Sequence, residues 1–155
     1  MTKSEHILEQ AILTQVGLEE EIYCEVTQHL RCSEMGDFPE VKNALTELKL
    51  VLEVNFQSLN SELDKIYRTQ KLLQITRTLE NDSLEPRTDS PKLSMTDILN
   101  YFYSSLTWAA INNTWLHKSA LALNAGAVAD MATEHLTKLR EYSTKLENLK
   151  PSAAI

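Results

Sequence analysis

Glycine and proline, the residues that punctuate turns, are scarce: three and four in a chain of 155 residues. With leucine, glutamate, lysine and alanine plentiful, that scarcity favours helix over sheet. Only two cysteines occur, Cys24 and Cys32. Their spacing fits neither a CxxC motif nor a zinc site, and on one helix they would stand about two turns apart, too far to bridge. They read as reduced structural thiols, with the cytoplasm as the expected compartment. The segment from Thr2 to Gln10 is largely polar and has no secretory core. No apolar run approaches the ~18 residues of a membrane span. Positive charge is also in deficit, 15 basic against 22 acidic residues for a net charge of −7. An acidic surface repels phosphate backbones, and the basic residues between Lys65 and Arg77 are too dispersed to form a patch, so nucleic acid is not an expected partner. No nucleophile elbow, P-loop, dinucleotide fingerprint or zinc motif is present, and Ser104 and Ser105 lack a base at a usable spacing.

What is abundant is the helical alphabet, arranged with helical periodicity. A first helix is predicted from about Ser4 to Arg31, with Thr2 and Glu5 at capping-box spacing and a buried face of Leu8, Ile12, Val16, Ile22, Val26 and Leu30. Gly36 is expected to turn the chain. A second helix opens at Asp37, with Pro39 in its first turn and Glu40 behind it. Its stripe is Val41, Leu45, Leu48, Leu52, Leu59, Leu63 and Ile66, and the pattern extends through Leu72, Leu73 and Ile75 to about Leu79. The two prolines and mixed charges of 82–94 read as a mobile loop.

A third helix starts near Ser94 or Thr96, with Asp97 as a capping partner, and runs to about Leu123. Ile98, Phe102, Leu106, Ala109, Leu116 and Ala120 face inward. Asn124 to Gly126 forms a turn. A fourth helix spans about Ala127 to Leu149, with Val128, Met131, Ala132, Leu139, Tyr142 and Leu146 inward, and Lys150–Pro151 stops it. Two short turns and one long central link make an all-α four-helix bundle, a single domain over 1–155.

Five polar residues interrupt these stripes near mid-bundle: Gln15, Glu19, Asn55, Asn113 and His135. By angle, Gln15 and Glu19 straddle the centre of the first stripe, Asn55 lies within roughly 40° of the second, and His135 is nearly central on the fourth. If the central link crosses the bundle, so that the second and third helices run parallel, Gln15, Asn55, Asn113 and His135 fall within about one turn of the same depth, with Glu19 about one turn beyond. A simple hairpin would separate the two helix pairs by about two turns.

The stretches Ala44 to Leu59 and Ala129 to Leu139, with this polar layer and the long link, give a chain that resembles the ferritin-like superfamily. The resemblance implies two antiparallel helix pairs joined by a crossover. Di-iron members place a Glu on the first and third helices and Glu-x-x-His on the second and fourth. Glu19 matches the first position. The second motif falls on Leu52 to Asn55, the third position on Ala109 or Asn113, and the fourth motif on Ala132 to His135, which keeps only the histidine. Two irons need about four carboxylates; Glu53 and Glu134 point off the core face. The expectation is a bundle without a complete di-metal site and without a cofactor or catalytic residue, acting as a structural or protein-interaction module. The alternative is a divergent metal-binding or redox protein of the di-iron type, holding iron or manganese through Glu19 and His135. A further option is a small apolar or amphipathic ligand beside Ala109.

Taken singly, His135 reads as a hydrogen-bonded core histidine, Glu19 either as a buried acid that must be neutral or paired or as a stripe-edge residue with access to water, and Gln15, Asn55 and Asn113 as a network fixing helix register or the lining of a small wet pocket. His6, His29 and His117 read as surface or capping residues. Trp108 and Trp115 share a face of the third helix roughly 100° from the core, extended by Tyr101 and Ile111. An exposed aromatic stripe marks an interface. A homodimer through this helix is expected, with packing against the end of the second helix as the alternative.

Overall fold

The computed structural model describes residues 3–67 and 94–150. Four helices carry the fold: α1 (Lys3–Leu30), α2 (Pro39–Tyr67), α3 (Met95–Ala122) and α4 (Gly126–Asn148), with a short 3₁₀ turn at Ser33–Asp37 between the first two. No strand occurs among the described residues, and none of their helices is long and apolar enough to cross a membrane. The anticipated extension of α2 to Leu79, the body of the 82–94 loop, Thr2 of the proposed capping box and the Pro151 stop lie outside the described residues.

The apolar stripes are buried as their periodicity requires. Ile12, Val26, Leu45, Leu48, Leu52, Leu59, Phe102, Leu106, Ala120, Leu139 and Leu146 belong to one core cluster contributed by all four helices, while Leu30 and Ile66 at helix ends pack only partly against it.

Helix directions follow from side-chain pairing. Tyr23 lies further along α1 than Glu19, yet it meets Glu53 on α2 where Glu19 meets Asn55, so α1 and α2 are antiparallel. Gln15 pairs with Asn112, whereas His29 packs edge-on against Phe102, so α1 and α3 are antiparallel too. The contacts of Asn113 with Ala132 and of Thr107 with Ser143 make α3 and α4 antiparallel. It follows that α2 and α3 point the same way. Each of α1 and α4 touches both α2 and α3. The α2–α4 side is tied by Glu47, whose carboxylate accepts hydrogen bonds from Tyr142 and Lys145.

Both short turns fall where the sequence places them, at Gly36 and at Asn124 to Gly126, and only the start of α2 departs from expectation. Gly36 has no left-handed backbone. The chain instead turns through the 3₁₀ segment, anchored by buried Met35, whose carbonyl accepts from Phe38 N. That turn consumes Asp37, so α2 begins at Pro39 and its first helical bond runs from Lys42 N to the Phe38 carbonyl. At the α3–α4 corner, Asn124 rather than glycine takes the left-handed conformation, with φ of 56°. Ala125 N donates to the Ala120 carbonyl and Asn124 N to Leu121, the paired bonds of a Schellman ending. Ser94 caps α3 as its sequence predicts, accepting from Asp97 N at 3.1 Å.

Candidate site: a buried carboxyl in an amide network

Gln15 and Glu19 are one helical turn apart on α1 and so point to the same face. Gln15 Nε2 donates to Glu19 Oε2 at 3.0 Å. From α2, Asn55 Nδ2 donates to the other oxygen, Glu19 Oε1, at 2.7 Å. Gln15 also bridges to α3: its Nε2 donates to the Ala109 carbonyl at 3.2 Å and its Oε1 accepts from Asn112 Nδ2 at 2.9 Å. Three helices thus meet in one chain of hydrogen bonds centred on a carboxyl.

Glu19 is wholly buried, with 0 % of its surface exposed, so of the two readings the stripe edge open to water is ruled out and the buried, hydrogen-bonded acid holds. Residue 19 points between α1 and α2, where Asn55 closes over it. Burial pushes its carboxyl up to about 7, because an anion there loses its hydration. The hydrogen bonds from Asn55 and Gln15 oppose that shift without cancelling it.

Asn113 and His135 are buried as well, but no hydrogen bond joins them to the glutamate network. Asn113 Nδ2 donates to the Ala132 carbonyl across the α3–α4 contact. Its Oδ1, and Nδ1 of His135, have no hydrogen-bond partner among the described residues. His135 is thus a core histidine, as its angle predicts, with this ring nitrogen left unpartnered. Burial holds its imidazole down to about 4, which favours the neutral ring.

The third-helix partner of the network is Asn112, not the Asn113 selected from angle alone. Asn112 lies on the flank of α3 that faces α1, and the angle between the two asparagines indicates which neighbour each can reach once the helix order is known. Buried Glu9, Thr27 and Ser143 were also not foreseen among the core polar residues. The space beside Ala109, suggested for a ligand, is reached by Gln15. His29 is more than a surface residue: it stacks edge-on against Phe102 with ring centres 5.7 Å apart and pairs with Glu25.

On the outer face of α3, Trp108, Ile111 and Trp115 are 61 %, 49 % and 66 % exposed. Tyr101 departs from this stripe, being half-buried with its ring edge-on to Phe102 at 5.2 Å. Beside Trp108, a shallow groove of about 210 Å³ runs between α1 and α3, lined by Leu18, Glu21, Ile22, Ser104 and Ser105. Neither Cys24 nor Cys32 forms a disulfide among the described residues.

Among the described residues, no group of three or more His, Cys, Asp or Glu side chains is placed to hold a metal ion. The donor set at Glu19 does not fit paired iron, which needs about four carboxylates: both Glu19 oxygens receive amide hydrogens, from Gln15 and Asn55. Comparison of the chain with protein-family models, with curated proteins and with solved structures finds no match.

Proposed function

We propose that this chain is a ferritin-like four-helix bundle, with a crossover between α2 and α3, that serves as a structural or protein-interaction module in the cytoplasm rather than as an iron enzyme. One observation carries this reading. The acid at mid-bundle, Glu19, directs both oxygens to amides of its own fold, so the layer that binds metals in di-iron bundles here holds helices in register. A network that joins α1, α2 and α3 through directional bonds specifies one helix arrangement, as single polar residues do in coiled-coil seams. The parallel course of α2 and α3, which sets the end of one and the start of the other at opposite ends of the bundle, supports the crossover. The outward display of two tryptophans on α3 supports a contact role, because exposed aromatic side chains are favoured at interfaces.

A second reading rests on the unpartnered His135 Nδ1, which makes a divergent metal-binding or redox protein the competing class. Metal analysis of protein purified without chelator separates the two. The interaction-module reading expects iron, manganese and zinc well below one equivalent, unchanged by His135→Ala. Stoichiometric metal that disappears in that variant overturns it.

A further inference from the structure

Resting on the interaction-module reading, we propose that the contact face of α3 takes a second copy of this chain. The two α3 helices pair antiparallel about a two-fold axis at the midpoint between Ile111 and Asn112, and Trp115 of each copy enters the other's groove beside Trp108.

The stripe is self-complementary. In a two-fold contact, if residue i meets residue j of the second copy, j must also meet i. Trp108 and Trp115 lie at equal distances on either side of the 111/112 midpoint, about 5 Å each way along the helix axis. Antiparallel pairing therefore sets each Trp115 at the depth of the other copy's Trp108, with the Ile111 side chains at the centre. The groove at Trp108, about 210 Å³, is below the size of a ligand pocket but admits a side chain.

Charge supports the same register. Glu21 is exposed and forms part of the groove wall at the Trp108 end. At the other end, the Lys118 ammonium stands 5.9 Å from the centre of the Trp115 ring. Inserting Trp115 into the second copy's groove carries Lys118 toward that copy's Glu21, and symmetry makes this match twice. A parallel arrangement would instead set each end against its own charge. Four indoles at ~150 Å² each bury roughly 600 Å². This is short of the ~1,200 Å² of standard stable complexes, so the association is reversible and concentration-dependent.

The test uses sedimentation equilibrium on the full chain, together with tryptophan emission, which reads this face directly because Trp108 and Trp115 are the chain's only tryptophans. The wild type should dimerise with rising concentration while its emission shifts to the blue. Trp115→Glu should abolish dimerisation while circular dichroism keeps its helical signal. Glu21→Lys and Lys118→Glu should each weaken the dimer about tenfold, since symmetry doubles every like-charge clash. The two together should restore it to within about threefold of wild type. A dimer indifferent to these reversals overturns the register. A chain that stays monomeric overturns the second-copy proposal in either of two ways: with solvent-exposed emission the face is left for a different protein and the module reading stands, and with buried emission residues 68–93 of the same chain cover it. Stoichiometric metal would strike the module reading separately, without bearing on the sedimentation result.

Discussion

Asn55 Nδ2 donates to Glu19 Oε1 at 2.7 Å, joining α2 to α1 through two side chains shut away from water. The pair is an amide serving a carboxylate. An anion in a core requires hydrogen-bond donors, and each missing donor is costly there because no water replaces it.

Removing the donor should reveal that cost. Asn55→Ala leaves Glu19 with only Gln15 and opens a small void, and should lose about 2–3 kcal/mol by urea denaturation at pH 8. At pH 5, where the carboxyl is protonated in the folded state, the loss should be visibly smaller. Equal losses at the two pH values would show that the bond is not made to an anion.

The two buried titrating groups act in opposite directions on stability. Glu19 has a folded value of about 7 against the ordinary 4.5, so the folded state holds more protons than the unfolded between those values. Its contribution to stability is full below pH 4.5 and is lost as pH rises toward and through 7. His135, at about 4 against 6.5, holds fewer protons when folded. Its contribution is full above pH 6.5 and is lost as pH falls through 4. Between about pH 4.5 and 6.5 the slopes oppose each other, each near 1.4 kcal/mol per pH unit at most, and the wild type should be nearly flat. Glu19→Gln should make stability rise with pH across that window, and His135→Asn should make it fall. Denaturation midpoints for the three proteins at pH 5, 6 and 7 check this, and parallel profiles would refute it.

The left-handed Asn124 predicts a selective response at the α3–α4 corner. Asn124→Ala should cost about 1 kcal/mol, the strain of a side chain at positive φ, while Asn124→Gly should cost nothing or stabilise slightly. Thermal melts of the two variants decide it. A harmless alanine would be inconsistent with the Schellman ending.

Gly17 sits inside α1 on an exposed face, and a methyl group added there meets nothing within 4 Å. Gly17→Ala should therefore stabilise the chain by about 0.5–1 kcal/mol through helix propensity and reduced freedom of the unfolded chain. A rise in melting temperature of about 1–4 °C is the expected reading. A fall would mean that this face is closely covered.

Much of the fold was legible along the chain because burial imposes a period. Ile12, Leu45, Leu106 and Leu139 recur at helical spacing with their stripe-mates and are all buried. Ser94 with Asp97 was legible because a cap is a local bond between residues three apart. Gly36 marked the turn correctly, but a turn's residues do not disclose which backbone conformation closes it: here a 3₁₀ segment takes up Asp37, while the left-handed position falls on an asparagine elsewhere. For the candidate site, angle alone identified Gln15, Glu19 and Asn55 as inward-facing. It left open whether Glu19 reached water, because that depends on what α2 presents at the same depth.

The amino-acid sequence alone determined that four amphipathic helices form and which stripe each one buries, since hydrophobic period and caps act within a single segment. Tertiary structure alone decided which polar side chains meet. It gave Gln15 to Asn112 instead of Asn113, enclosed Glu19 between two amides, and left His135 apart from both. Hydrogen bonds between helices depend on relative depth, direction and neighbour order, and none of these is encoded in the periodicity of one helix.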